Sequence, residues 1–246
     1  MAGGFVWPLA RLCVAAFSRG TESHSGLYRL FADSYARRAL GHSLALSLVV
    51  ALASVAICLP AALSLARGRF VGRALLRGVF AIPLALSGVV VGFLAVAMLG
   101  NAGALPALLH TEWLRGTAYG LGGLGITYLY FEIPRATLTM EAALATVEDG
   151  LLEAARTLGA RPRQLVWLVF WPLCAPALRA AFGVTFAASL GSFGVALIIA
   201  GRFPLLPVEL YRSFTGTLDE PLGAAMALTL ALLAIAVLWV SGRRAR

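Results

Sequence analysis

The sequence predicts an all-α polytopic membrane protein, folded as one domain over residues 1–246, with about six spans of which the first is short or clipped. Three observations predict it. Of the 246 residues, 60% are hydrophobic and only 13% are charged, against about 25% charged in a typical soluble domain. Apolar runs near the span length of about 20 residues recur along the chain. The 20 basic residues are all arginine and lie mostly in short stretches between those runs, where charge sets orientation in a bilayer. The net charge of +9 is therefore a matter of topology and not the footprint of a nucleic-acid partner.

The first apolar run, 5–17, is shorter than a span and carries Arg11. It has no small-residue cleavage site and is not read as a signal peptide. Residues 18–39 are polar and then amphipathic, with Tyr28, Phe31 and Tyr35 suited to the headgroup level of the outer face. A clear span follows at 40–66, with a kink expected at Pro60. His42, near its outer end, is expected to be a hydrogen-bonded interfacial residue rather than a ligand.

Arg67, Arg69, Arg73 and Arg77 make the strongest positive-inside signal. The next span is read at 79–99. Its Gly88 and Gly92 offer a small face for close helix contact, while Pro83 and Ser87 weaken its start. A loop at 100–116 leads to a span at 117–133, whose Gly120, Gly122, Gly123 and Gly125 suggest tight packing. Glu132 is placed near the inner end of that span. An intramembrane acid is a candidate pathway residue; the alternative is an ion pair with Arg135 at the membrane boundary. A bend is expected at Pro134.

The longest polar interruption comes next and ends at Pro172. Thr146 is placed to cap a helix with Asp149 in its first turn. Val147, Leu151, Ala154, Ala155 and Leu158 share one face. Gly159 is placed to end that helix in a left-handed conformation. Pro162 suits the first turn of a second helix. The reading is a cytoplasmic helix–turn–helix between two spans.

A span is read at 174–200, with Ser189, Gly191, Ser192 and Phe193 past its middle. Glycines there allow either a broken helix lining a cavity or simple helix packing. An outer loop at 201–221 and a last span at 222–240 complete the chain. With this topology the inner segments hold eleven arginines and the outer ones seven, which places the polar interruption inside. Cys13, Cys58 and Cys174 have no metal-ligand spacing and are read as small buried hydrophobes.

Within the interruption, Glu153, Ala154 and Ala155 are followed after three residues by Gly159, after nine more by Val169, and then by Pro172. This pattern, with spans on both sides, resembles the EAA loop of the inner-membrane permease subunits of binding-protein-dependent ABC importers, the type I transmembrane family. Val169 and Trp171 stand where the family usually has Ile and Leu. The resemblance extends over nearly the whole chain. It implies a multi-pass permease of the bacterial inner membrane, with the EAA coupling loop at 141–172. Two permease chains would form the solute pathway, with an ATPase dimer docked inside and an extracytoplasmic solute-binding protein outside. In that loop Glu153 would make a polar contact to the ATPase. Ala154 and Ala155 would permit close approach, Gly159 would set the turn, and Pro172 would position the return into the membrane. The pathway candidates are Glu132, Ser189, Gly191, Ser192 and Phe193. ATP and magnesium would belong to the partner, since this chain has no phosphate-binding loop. No cofactor, metal site or catalytic residue is expected in it.

Stretches at 82–92, 128–136 and 189–211 resemble the spermidine/putrescine-type branch most, with thiamine, iron(III), phosphonate and molybdate/sulfate permeases as alternatives. A polyamine path calls for acids, and the spans offer only Glu132. The other classes considered are a non-transporting scaffold, which needs no coupling loop, and a channel, which needs a ring of polar pore residues.

Overall fold

The longest helix, α3 (Ser34–Arg67), is the post around which the bundle is built. The computed structural model describes residues 3–18, 25–68, 70–110, 116–145, 150, 155, 157–201 and 203–243. Asp33 ends the short helix α2 (Gly26–Ala32) and caps α3, accepting from the Tyr35 amide at 2.9 Å. The buried stripe of α3 is built from small residues, among them Ala36, Ala39, Ser43, Ser47, Ala51, Ser54, Cys58 and Ala62. Such a stripe lets neighbouring backbones approach where lipid supplies no hydrophobic drive. The helix continues past Pro60 to Arg67.

Two helices lie along this stripe, α7 (Gly120–Leu144) and α8 (Trp171–Leu190). Val50 meets Leu124 and Tyr128 in one core cluster. Cys58 and Ala62 meet Ala136, Met140, Leu144, Cys174 and Ala177 in another. The order shows that α3 and α7 run the same way and α8 runs back. The last helix, α11 (Glu220–Arg243), packs on α8, with Ser241 crowding Gly183. Helix α1 (Gly3–Phe17) rests on α11 through Ala16 against Ala224 and Ala225. Cys58 and Cys174 are buried as expected, but Cys13 is exposed, because only one face of α1 is covered.

Several expected spans are subdivided. The run at 79–99 is two helices, α4 (Arg73–Ala85) and α5 (Gly88–Leu99). Leu86 is extended, and Ser87 starts the new helix by accepting from the Val90 amide at 3.4 Å. The run at 174–200 is likewise divided between α8 and α9 (Phe193–Ile199) at Gly191–Ser192. The loop at 100–116 contains α6 (Ala104–Leu109), and the outer loop at 201–221 contains α10 (Leu206–Thr215).

Conversely, α7 does not stop at Pro134 but runs on to Leu144. Among the described residues, four helical stretches, Ser34–Arg67, Gly88–Leu109, Trp167–Leu190 and Glu220–Arg243, are long and apolar enough to cross a membrane. Helix α7 has 25 residues but carries Glu132, Arg135 and Glu141.

The glycine expectations divide. A Cβ on Gly194 would sit 2.7 Å from the Val89 amide nitrogen, and one on Gly92 would sit 2.9 Å from Ile198 Cβ. Gly88 and Gly92 therefore do form a close-contact face, and α9 is what they contact. In contrast, a Cβ at Gly120, Gly122 or Gly125 would meet nothing of this chain within 4 Å, so these three make no close contact within it. Gly123 alone is crowded, by the Ala118 carbonyl of its own incoming turn.

The ends of the bundle differ in chemistry. At the outer end, Arg29 pairs with Asp219 at 2.6 Å, and Tyr35 and Arg212 both donate to Glu209. His42 stacks on Phe203 and donates through Nδ1 to the Pro204 carbonyl at 3.2 Å, as its interfacial reading requires. At the inner end, the rings of Trp167 and Trp171 lie 6.3 Å apart; at the end of α11, Arg243 lies over the ring of Trp239.

Candidate functional site

The two helix breaks meet at mid-depth around a cavity of about 410 Å³. Leu84 and Leu86 line it from the α4–α5 junction. Gly191, Ser192 and Phe193 line it from the α8–α9 break, and Glu132 and Arg135 from α7. Interrupted helices are tolerated in a membrane only where protein or a cavity satisfies the freed backbone. Here Tyr128, buried on α7, donates its hydroxyl to the Ser192 carbonyl at 2.7 Å. This bond ties the residue that starts α9 to the unbroken α7.

Glu132 occupies the middle of α7, not its inner end, because the helix continues past Pro134. Its side chain is 4% exposed, and Oε2 lies 3.1 Å from Nε of Arg135, which is 36% exposed. The ion pair expected at a boundary thus exists, but inside the bundle and on the cavity wall. Ser189 is the exception among the pathway candidates. It lies one turn before the break, on the face of α8 turned toward Ser43, Ser47 and Tyr128, and does not line the cavity. Its hydroxyl is buried without a hydrogen-bond partner.

Below the cavity is the predicted helix–turn–helix. Glu153 and Ala154 lie outside the described residues, as do Thr146 and Asp149. Ala155 and the turn after it are described. Gly159 has φ +78°, and the Ala160 amide donates to the Ala155 carbonyl at 3.1 Å. This i→i−5 bond around a left-handed glycine is a Schellman stop, the helix end expected at this glycine. The chain restarts at Pro162, where Gln164 Oε1 accepts from the Arg161 amide at 2.8 Å, half of a capping box.

Residues Leu165–Phe170 then take the wider π-helical winding before α8, in whose first turn Pro172 sits. Pro172 and Pro176 both lack the N–H an α-helical ladder needs, and such gaps favour local rewinding.

Sequence reasoning missed Tyr128, read only as part of a resembling stretch, and Glu141. Glu141 is 5% exposed, on the last turns of α7. Arg77 donates to its Oε1 through Nε at 2.6 Å and also through Nη2. Nη2 of Arg73 lies 3.7 Å from the same oxygen. In the sequence these arginines stand as topology signals alone. An acid at the first residue of the 141–172 loop, with Arg73 and Arg77 on the same side of the membrane, was the available signal.

The fold and this arrangement define the transmembrane component of a transport system. The family described as "Binding-protein-dependent transport system inner membrane component" matches residues 58–243. The chain belongs to this family and is a non-catalytic, multi-pass inner-membrane permease subunit of an ABC importer.

Among relatives, a putative ferric transport system permease of Haemophilus influenzae is 29% identical, over 97% of this chain and 39% of the relative. The chain therefore spans about two-fifths of that protein's length. A sulfate transport system permease of Synechococcus elongatus is 28% identical over 93% of this chain and 82% of its own. A molybdenum transport system permease of Mycobacterium bovis is 33% identical over 83% and 78%.

Among solved structures, a bacterial ABC transporter importing the acidic polysaccharide alginate superposes with a TM-score of 0.74 at 18% identity, over 98% of this chain and 89% of the other. A bacterial alginate ABC transporter with its pentasaccharide-bound periplasmic protein gives 0.68 at 17% identity, over 89% and 81%. At these identities the likeness concerns the fold.

Proposed function

We propose that the chain forms one half of a solute pathway that opens and closes through a separate ATPase, and that the solute is a small inorganic oxyanion. The observation that carries the pathway reading is the meeting of two broken helices at a cavity walled by Glu132 and Arg135. Discontinuous helices at mid-depth are how transporters present backbone and charge to a solute. In this reading residues 1–246 are one transmembrane domain and 141–172 its coupling loop. An ATPase dimer carrying ATP and magnesium docks there, a second permease chain completes the pathway, and an extracytoplasmic binding protein delivers solute. Glu153, Ala154, Ala155, Gly159 and Pro172 keep the roles the resemblance implies.

The solute class rests on which relatives match along most of both chains. The sulfate and molybdenum permeases do so, at 82% and 78% of their lengths, whereas the ferric relative is matched over 39%. The exposed part of the Arg135 guanidinium on the cavity wall suits an anion. These relatives support the oxyanion alternative over the polyamine branch, and one acid already paired with an arginine is a poor lining for a polycation.

Two measurements test the proposal. A mild-detergent pull-down of the tagged chain from its native membrane should recover an ABC ATPase, and Glu153→Arg should reduce that recovery. No ATPase with an intact wild-type chain would favour a scaffold or a channel. Uptake of labelled sulfate or molybdate should depend on the chain. Dependence of iron, thiamine or putrescine uptake instead would replace the oxyanion.

A further inference from the structure

The cavity has two walls that meet again at the inner end of the bundle. Helix α4 begins with Arg73 and Arg77 and ends at the cavity with Leu84 and Leu86 beyond. Helix α7 carries Glu132 and Arg135 on the cavity and Glu141 about two turns further in. At that level both arginines converge on one oxygen, Glu141 Oε1. Arg73 also donates through Nη2 to the Ala66 carbonyl, in the last turn of α3, at 3.3 Å. One carboxylate thus ties together the inner ends of α3, α4 and α7. Beyond Leu144, the end of α7, the chain enters the polar segment directly.

From this geometry we infer that Glu141 is a positioning residue that makes the α4 wall of the cavity follow α7 when the polar segment moves. The inference rests on the permease reading above. A carboxylate buried to 6% side-chain exposure cannot leave both arginines without stranding its charge. The contact therefore persists while the helices shift. A displacement entering α7 at Leu144 reaches α4 through Glu141 and Arg77, and α4 carries it about 10 Å along its axis to Leu84. Without the tie, α7 would move alone and the Leu84–Leu86 wall would lag.

The test uses the whole transporter, reconstituted with its ATPase and binding protein. Solute uptake and ATP hydrolysis are measured together for wild type, Glu141→Gln, and the exchanged pair Arg77→Glu/Glu141→Arg. The expected result is that Glu141→Gln still co-purifies with the ATPase and hydrolyses ATP, while solute moved per ATP falls about tenfold or more. The exchanged pair should recover at least a third of the wild-type ratio. An unchanged ratio in Glu141→Gln overturns the inference. So does an exchanged pair that assembles normally and stays as uncoupled as Glu141→Gln. Should Glu141→Gln fail to accumulate, the exchanged pair decides alone. It must restore both protein level and ratio, and failure in either overturns the inference. Wild type recovered without any ATPase would instead sink the permease reading itself.

Discussion

Tyr128 and Ser192, 64 residues apart in sequence, share one hydrogen bond of 2.7 Å that closes the gap between α8 and α9. The phenol comes from an unbroken helix and serves the carbonyl of the residue that starts the second half of the broken one. Removing it by Tyr128→Phe keeps the ring and loses only the donor. A hydrogen bond of this kind within a membrane is worth about 0.6–1 kcal/mol. The detergent-solubilised variant should show a thermal midpoint a few degrees below wild type. An unchanged midpoint would mean that the Ser192 carbonyl finds another donor.

The α5–α9 crossing makes a sharper demand. A methyl group on Gly194 would press on backbone, at Val89 N and Gly88 C, which cannot swing aside as a side-chain tip would. Gly194→Ala should lower stability by about 1–3 kcal/mol, the usual range for overpacking. Gly122→Ala is the matched control, since its added Cβ meets open space within a helix. That substitution should be neutral or stabilising by up to about 1 kcal/mol. Thermal unfolding of both, side by side, tests the assignment.

At Gly159 the constraint is conformational. Its φ of +78° is disfavoured for a residue with a Cβ, and most for a β-branched one. Gly159→Val should disturb the Ala160–Ala155 stop at a cost of about 1–2 kcal/mol. Because the site is peripheral to the packed bundle, the protein should still reach the membrane. Uptake should fall while ATP hydrolysis continues. Gly159→Asn, which tolerates the left-handed region better, should retain more uptake. Equal uptake in the valine variant and wild type would remove this turn from the coupling route.

For the cavity pair, the single changes should be unequal. Arg135→Gln leaves the Glu132 carboxylate buried and alone, which costs several kcal/mol when the remaining charge has no other partner. Glu132→Gln leaves an arginine already one-third exposed and costs less. The double variant should be more stable than Arg135→Gln. A double-mutant cycle on thermal midpoints checks the order, and equal losses from both single changes would contradict it.

How much of this could be read from the residues alone differs by element. The span at α3, the last span at α11 and the Gly159 stop follow from local rules, because apolar length and a left-handed glycine act within one segment. The helix breaks were harder. Pro83 and Ser87 marked a weak start, yet neither says that a helix ends at Ala85 and another begins at Gly88. The opposite error occurred at Pro134, where a helix breaker was overridden by packing of Ala136, Met140 and Leu144 into the inner core cluster. That one override moved Glu132 from a boundary to mid-depth. Ser189 shows the limit of proximity in sequence. It stands two residues from Gly191, but the helical turn between them points it toward α3. Glu141 was invisible because its partners are 64 and 68 residues away, and the arginines already had a sufficient explanation as topology signals.

The tryptophans at the inner end have a consequence of another kind. Trp167 is 68% exposed and Trp171 37%, immediately after the turn at Pro162, and Trp239 is 54% exposed on α11. Indole rings settle at the boundary between hydrocarbon and headgroups. Trp167 and Trp171 therefore moor the chain to a lipid plane just where the polar segment re-enters, whereas Trp239, near Gly183, lies at a different level. How far that segment stands clear of the bilayer is then set partly by the lipids, and a thicker or thinner membrane would change its reach without altering a single bond in the protein.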